Sequence, residues 1–241
     1  MLSKNQSKLI TSLQQKKYRA QYQLFVAEGL KVVNELLSSN YELDSLFCIE
    51  DCYASFKSYD PQLLSENELS KISNLSTPNK VLGLFRIPGD FNINEKGLIL
   101  VLDAISDPGN LGTIIRLSDW FGVSQIVCSK NTVDCYNPKV VQATMGSLTR
   151  VPIVYADLEE FLKETQLPIY GAVMNGESVY SYKLKQNAIL VMGNESNGIS
   201  EKVFDFINKK ITIPRFKEEN ETESLNVATA TAILLNEFRR G

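Results

Sequence analysis

Apolar residues are grouped along the C-terminal part of this chain in a regular alternation of strand-like and helix-like segments. Short apolar runs predict strands, and longer segments with apolar residues every three or four positions predict helices. The predicted strands lie at 98–102, 125–128, 151–154, 169–173, 188–192 and 210–213, and the predicted helices at 111–121, 138–145, 158–163, 200–207 and 225–239. This alternation predicts an α/β fold with a mainly parallel sheet, helices on both faces, and ligands bound at the carboxyl ends of the strands.

The N-terminal part has a shorter and less regular pattern. It predicts helices at 7–15, 28–37 and 66–72, with Glu28 in the first turn of the second, strands at 43–49 and 81–85, and a basic turn at 16–19. These elements suffice for a small α/β domain. Turn-forming and polar residues follow between 87 and 97. We therefore expect a first domain at 1–93, a linker at 94–97 and a second domain at 98–241.

Three short polar clusters lie where the apolar segments of the second domain end or begin, at 107–116, 193–198 and 224–226. Loops at the ends of strands are where α/β proteins usually place their chemistry, so we expect the clusters to form one composite site. Each cluster also has a purely structural interpretation. The first two resemble ordinary turns before helices, and Ser224 is a suitable N-cap for the last helix.

Composition limits the kind of protein and the kind of chemistry. The 241 residues are 44% hydrophobic, yet no apolar run approaches the roughly 20 residues that span a bilayer, and the N-terminus lacks an apolar signal core. We therefore expect a cytoplasmic protein that does not enter a membrane. The chain has no histidine, and its four cysteines lack the spacing of a metal site, so we expect no metal ion and no histidine-dependent nucleophile.

Charge is unevenly distributed along the chain. The net charge is −3, but residues 1–31 contain six lysine and arginine residues and a single acidic residue, Glu28. The densest basic group is Lys16, Lys17 and Arg19, which we predict to contact phosphates. The alternative is a helix whose lysine-rich side is simply exposed to water.

The content and order of the three clusters resemble the motifs of the SpoU family of RNA ribose methyltransferases, within the SPOUT superfamily. The first motif of that family corresponds to Asn110, Gly112 and Arg116, the second to the Gly-Asn-Glu-x-x-Gly of 193–198, and the third to the Ser-Leu-Asn of 224–226. The resemblance extends over roughly 97–240. One departure is the acidic segment 218–221, which makes the loop before Ser224 longer than is usual in the family.

This resemblance implies a chemistry and a set of site residues. In the SpoU family, S-adenosyl-L-methionine binds in a cleft formed by a C-terminal trefoil knot, and its methyl group is transferred to a ribose 2′-hydroxyl. Arg116 is implied to help deprotonate that hydroxyl with the aid of an RNA phosphate. The implied residues that position these groups are Asn110, Glu195, Ser224 and Asn226, and the implied cofactor contacts are Ala172, Gly193, Asn194, Ile213 and Leu225.

The resemblance also implies partners. The N-terminal part looks like the small RNA-binding domain that often precedes the SpoU catalytic domain, which implies that Lys16, Lys17 and Arg19 bind RNA. Members of the family act as homodimers. Ribosomal RNA is favoured over transfer RNA as the substrate because the additional domain is commoner among enzymes that act on ribosomal RNA. Two other functions stay open: a SPOUT enzyme that methylates a base nitrogen, and a catalytically silent RNA-binding or ribosome-assembly factor.

Overall fold

The computed structural model describes residues 1–89, 92–216 and 224–240. The chain forms two compact units: unit 1 comprises Met1–Gly89 and Asp134–Thr149, and unit 2 comprises Asp90–Val133 and Arg150–Gly241. Unit 1 therefore includes residues 134–149, which the predicted domain ranges place in the second domain, and those ranges stay a prediction. The acidic segment 218–221 lies outside the described residues. Within the described ranges, no helix is both long and apolar enough to cross a membrane.

Unit 1 is built around a sheet of four strands in the order β1-β4-β2-β3, in which β4 is antiparallel to β1 and β2. Apolar residues of these strands form its core together with buried positions of the helices. Its elements are α1 (Lys4–Ser12), α2 (Lys16–Tyr22), β1 (Leu24–Glu28), α3 (Leu30–Leu37), β2 (Leu43–Cys48), α4 (Glu50–Phe56), β3 (Gln62–Leu63), α5 (Glu66–Ser70), β4 (Val81–Arg86) and α7 (Pro138–Thr144).

Two predictions for the first 31 residues are wrong. The basic segment 16–19 is the start of helix α2 and not a turn, and Glu28 ends strand β1 instead of lying in the first turn of α3. The Glu28 carboxylate is buried, and it accepts hydrogen bonds from Ser73 Oγ and from the backbone and side-chain nitrogens of Asn74. An acidic residue can end a buried strand here because hydrogen bonds replace the water that it loses.

Arg19 is also misassigned by the sequence, because it is a structural residue of unit 1. Its side chain is only 2% exposed and forms an ion pair with Asp134, with Nε 2.8 Å from Oδ2. The guanidinium also donates to the carbonyl oxygens of Leu13 and Gln14, at 2.8 and 3.0 Å. A buried guanidinium whose donors are used in this way cannot reach a phosphate, so the prediction that Arg19 binds RNA is wrong.

Unit 2 confirms the predicted α/β architecture. Its sheet has six strands in the order β10-β8-β9-β5-β6-β7, and every neighbouring pair is parallel. Its elements are β5 (Leu98–Leu102), α6 (Pro108–Trp120), β6 (Gln125–Ser129), β7 (Ile153–Ala156), α8 (Leu158–Glu164), β8 (Ile169–Ser178), β9 (Ala188–Met192), α9 (Glu201–Phe204), β10 (Lys209–Thr212) and α10 (Val227–Arg239).

Helices cover both faces of this sheet. Ile169 belongs to an apolar cluster that includes residues of α8 and α9, whereas the ring of its neighbour Tyr170 packs edge-on against Phe238 of α10, with centroids 5.3 Å apart. Consecutive strand residues point to opposite faces, so these two contacts place α8 and α9 on one face and α10 on the other. All six strands end at the same edge, and the polar clusters of unit 2 follow β5 and β9 there.

The buried ion pair of unit 1 generates a stability prediction. We expect Asp134→Ala to lower the free energy of unfolding of the full chain by about 3–5 kcal/mol, because it leaves the Arg19 guanidinium buried without its carboxylate. Glu42→Ala is the matched control: it breaks the exposed pair between Glu42 and Arg86 and should cost less than about 1 kcal/mol. Urea unfolding measures both variants, and equal losses would contradict the assigned role of Arg19.

Candidate active site

Two of the three polar clusters begin side by side because the strands before them are neighbours. Strands β5 and β9 pair in parallel with Leu102 opposite Met192, so the loops after them leave the sheet at the same point. The first residue of one loop is tied to the last residue of the other strand, since the Asp103 backbone N–H donates to the Met192 carbonyl oxygen at 2.9 Å. Sheet register therefore brings the first two clusters together.

The loop after β9 is a tight turn that depends on Gly193 and Asn194. A Cβ atom at Gly193 would lie 2.2–2.5 Å from backbone atoms of Gly198 and Ile199, a separation that real structures do not show. Asn194 closes the turn: its Oδ1 accepts from the N–H groups of Ser196 and Asn197, and its Nδ2 donates to the Ala104 carbonyl oxygen. Asn194 thus builds this loop, and its predicted contact with a cofactor stays a prediction.

The Glu195 carboxylate is held by the loop that follows β5. It accepts hydrogen bonds from the N–H and Oγ of Ser106, from the N–H of Asp107 and from Asn110 Nδ2, at 3.0–3.3 Å. Burial by itself would raise the pKa of Glu195, but these donors, with Asn110 foremost, outweigh it and hold the pKa below its ordinary value. The carboxylate is therefore ionised and fixed in position at neutral pH.

Asn110 joins this pair of loops to the third cluster. Its Nδ2 donates to Glu195 Oε1 at 3.0 Å, and its Oδ1 accepts from Asn226 Nδ2 at 2.9 Å. The N-cap of α10 is Asn226, whose Oδ1 accepts from the N–H groups of Ala228 and Thr229. The prediction that Ser224 caps the last helix is wrong, since the helix begins at Val227 and Ser224 is an exposed residue before it.

Arg116 lies two turns into α6, six residues after Asn110. Helix α6 begins at Pro108 and is capped by Asp107, whose Oδ1 accepts from the Asn110 N–H at 2.8 Å. Its neighbours Ile114 and Ile115 are buried, whereas Arg116 is exposed. Among the described residues, its guanidinium has no hydrogen-bond or ion-pair partner. An exposed guanidinium on the helix that also carries Asn110 is suited to an anionic ligand such as a phosphate.

The predicted cofactor contacts lie at the carboxyl ends of β8, β9 and β10. Pairing of β8 with β9 ends at Gly171 opposite Val191, and the register of β8 with β10 jumps between Gly171 and Glu177. The main chain at Ala172 therefore lies just outside both ladders, where its polar groups can pair with a flat ligand. Ile213 is half-buried and Leu225 is 49% exposed, so both offer apolar surface for such a ligand.

Two residues that hold the site together were not predicted. Asp103 is a 6% exposed carboxylate whose Oδ2 accepts from the Ser200 N–H at 2.8 Å, and Ser106 donates twice to Glu195. In the sequence, the signal that could have identified Asp103 is its position directly after a fully apolar strand. Among the described residues, no three Cys, Asp or Glu side chains are grouped so that they could hold a metal ion. The absence of a metal from the site stays a prediction.

Comparison with known proteins finds one family match for the N-terminal part of the chain and another for the C-terminal part, and the second match includes residues 134–149 of unit 1. Residues 97–236 match the SpoU rRNA Methylase family, and residues 4–83 match the MRM3-like substrate binding domain. The chain is 29% identical over 237 residues to 23S rRNA (guanosine(2553)-2′-O)-methyltransferase RlmP of Bacillus subtilis, an alignment that covers 94% of this chain and 93% of that protein.

Solved structures agree with these matches. A TrmH-family protein from Porphyromonas gingivalis is 38% identical, with a TM-score of 0.91 over 100% of this chain and 99% of that chain. An rRNA methyltransferase from Sinorhizobium meliloti, solved with AdoMet bound, is 30% identical, with a TM-score of 0.86 over 100% of this chain and 96% of that chain. These similarities extend over the complete lengths of both units.

The hydrogen bonds to Glu195 generate a prediction that depends on pH. We expect Glu195→Gln to destabilise the chain by about 1 kcal/mol at pH 7, because the amide replaces one acceptor oxygen with an NH2 group, which then faces the N–H and O–H donors from which the carboxylate accepts. Since the folded-state pKa lies below the ordinary 4.5, the ionised carboxylate stabilises the fold above that pH, and the contribution is lost as the pH falls through the lowered value.

The difference in melting temperature between wild type and Glu195→Gln should therefore be largest near pH 7 and shrink below about pH 4.5. Calorimetry over this range measures it. Glu164→Gln, at an exposed position of α8, is the control and should follow the wild type throughout. A difference that stays constant with pH would show that the ionised form of Glu195 is not what the site requires.

Proposed function

This chain belongs to the SpoU rRNA Methylase family, and we propose that it transfers a methyl group from S-adenosyl-L-methionine to a ribose 2′-hydroxyl of ribosomal RNA. Its relative RlmP is a 23S rRNA 2′-O-methyltransferase, and the similar Sinorhizobium enzyme binds AdoMet. These relationships make the chain a methyltransferase that uses S-adenosyl-L-methionine. The name of RlmP makes 23S ribosomal RNA the first substrate to test.

The observation that supports this proposal best is the network that joins the three polar clusters through Asn110. Glu195, Asn110 and Asn226 come from three separate segments. Asn110 is hydrogen-bonded to Glu195 at 3.0 Å and to Asn226 at 2.9 Å, so the three side chains form one continuous chain of hydrogen bonds. A scaffold protein that only binds RNA has no need for a fixed carboxylate, two bridging amides and an exposed arginine at one edge of a sheet. Such preorganised polar groups are typical of a catalytic site.

The proposed mechanism assigns a task to each of these groups. S-adenosyl-L-methionine, when bound, would supply a methyl group on a positively charged sulfur, and this sulfur would leave as a neutral thioether when an oxygen nucleophile attacks the methyl carbon. Arg116 holds the RNA phosphate and stabilises negative charge on the ribose 2′-oxygen, while the hydroxyl proton passes to solvent water with the aid of that phosphate. Asn110 and Glu195 fix the first turn of α6, and thereby the point from which Arg116 extends. Ser224 and Asn226 position the ribose at the start of α10.

The proposed cofactor site uses main chain at the strand ends. The backbone at Ala172, Gly193, Ile213 and Leu225 contacts the adenine, an arrangement supported by the main-chain groups that lie outside the strand ladders at Ala172. We also propose that the C-terminal part of the chain contains the trefoil knot of the SPOUT superfamily, a proposal that rests on the family resemblance.

We further propose that the protein is a homodimer. Trp120 at the end of α6 is 84% exposed, and a second copy of the chain would remove this large apolar surface from water. Light scattering tests the proposal, because a homodimer has twice the chain mass of 27.0 kDa. A mass equal to that of one chain would refute it.

Nucleoside analysis tests the proposed reaction. Ribosomal RNA lacking the modification, incubated with the protein and S-adenosyl-L-methionine, should yield a 2′-O-methylnucleoside after digestion. Arg116→Ala should lower turnover by about 100-fold or more while the affinity for S-adenosyl-L-methionine, measured by calorimetry, changes only a few fold. Lys163→Ala, which removes an exposed cation from α8, is the matched control and should leave both quantities unchanged.

Each other outcome of this experiment identifies a different error. A base-methylated nucleoside would identify the enzyme as a base-modifying SPOUT methyltransferase, and absence of any methylated product from wild-type protein would favour a silent RNA-binding factor. Near-normal turnover by Arg116→Ala would show that Arg116 has no role in the reaction.

A further inference from the structure

The outer surface of helix α2 has a chemistry that the methyl-transfer site does not use. Arg19 is buried, Tyr18 is half-buried, and the other residues of α2 are exposed: Lys16, Lys17, Ala20, Gln21 and Tyr22. We propose that this surface is a stacking site for an unpaired base of the RNA, in which the Tyr22 ring contacts the base and Lys17 contacts a neighbouring phosphate. The proposal rests on the proposed function, since it names how the RNA substrate is held.

The two tyrosines form a preorganised aromatic surface. Tyr18 and Tyr22 are four residues apart on the helix, so they lie on the same side, and their rings are nearly parallel, with an interplanar angle of 18° and centroids 6.3 Å apart. Tyr22 is 43% exposed. Proteins that bind single-stranded nucleic acid use exposed aromatic rings of this kind as platforms, because every base has a flat face that can stack on them.

These tyrosines are not part of the aromatic core of unit 1. That core is built around Phe25, which is in ring contact with Tyr41, Phe85 and Tyr136. Tyr22 lies outside this aromatic core. A binding function accounts for a large aromatic side chain at a water-facing position of a short helix.

A cation is held beside this surface. The Lys17 ammonium lies 4.7 Å from the centroid of the Tyr18 ring, a cation–π contact that keeps the charge next to the stacked pair. A nucleotide presents a flat base and a phosphate close to each other, so one aromatic ring and one adjacent cation match its two parts. In this proposal Lys17 contacts the phosphate, whereas the sequence predicted this contact for Lys16, Lys17 and Arg19 together.

The N-terminal segment that contains α2 is rich in positive charge. Residues 1–27 contain no acidic residue, and Lys4, Lys8, Lys16 and Lys17 are all exposed. Within the described ranges, the carboxylates that bond to this segment are themselves engaged: Asp134 pairs with Arg19, and Glu68 accepts from the Leu2 N–H at 2.9 Å and from Ser65. This local excess of positive charge favours a polyanion over a protein partner.

Two short RNA probes separate stacking on a base from contact with a phosphate. One is oligoadenylate, and the other is a chain of the same length with the same sugar-phosphate backbone but no bases. On the full-length protein, Tyr22→Leu should weaken oligoadenylate binding by about tenfold and leave binding of the abasic chain unchanged. Tyr22→Phe should bind both probes as the wild type does, since it keeps the ring. Tyr59→Leu is the matched control, because Tyr59 is exposed to almost the same extent, 42%.

Lys17→Ala should weaken the binding of both probes. It should also reduce the slope of log affinity against log salt concentration by somewhat less than one unit, as expected when one phosphate contact is lost. A salt slope identical to that of the wild type would remove Lys17 from the RNA contact and overturn the pairing of base and phosphate proposed for this surface.

The stacking proposal fails if Tyr22→Leu binds oligoadenylate as tightly as wild type, if it loses affinity for both probes equally, or if wild-type protein does not distinguish them. None of these measurements requires methyl transfer, so they are independent of the proposed reaction. With ribosomal RNA as the substrate, Tyr22→Leu should raise KM and leave kcat unchanged, whereas absence of product from wild-type protein would refute the reaction itself and not the stacking site.

Discussion

The candidate active site is connected by one side chain, the amide of Asn110, which makes two hydrogen bonds of opposite sense. Its nitrogen donates to the Glu195 carboxylate and its oxygen accepts from Asn226. A planar amide carries a donor and an acceptor on one rigid group, so it can connect a carboxylate on one side to a second amide on the other. Neither aspartate nor an aliphatic residue can do both, and the positions of the three loops therefore depend on this residue.

The remaining parts of unit 2 bring the three loops within reach of this amide. The parallel pairing of β5 with β9 starts two loops at one edge of the sheet, and Asp103 and Asn194 then tie these loops to each other. The absence of a side chain at Gly193 lets the second loop turn back on itself. The cap at Asn226 sets the start of α10. Together these contacts hold the loops at the start of α6, and Arg116 extends from that helix as an exposed cation.

The sequence predicts those features that follow from local patterns. Strands β5 and β9 are predicted to the residue because a buried parallel strand is a continuous apolar run, and the convergence of the three clusters follows from their positions at strand ends. The cap of α10 is misassigned because serine and asparagine are equally good N-caps and lie two residues apart, so the sequence alone does not show that the helix begins at Val227.

The features that depend on distant partners could not be read from the sequence. Arg19 looks like the other exposed cations of its segment, and its burial is apparent only once Asp134, 115 residues away, is seen beside it. For the same reason residues 134–149 could not be assigned to unit 1. Glu28 is predicted in the first turn of a helix because Ser73 and Asn74, whose hydrogen bonds let it end a buried strand, are remote in sequence.

The most direct test of this account is a double-mutant cycle between Asn110 and Asn226, measured as kcat for methylation of ribosomal RNA. If the two amides act as one unit, Asn110→Ala and Asn226→Ala should each lower kcat strongly, and the double variant should be little worse than either single variant. Losses that simply add in free energy would contradict the account, because they would show that the two side chains serve the reaction independently.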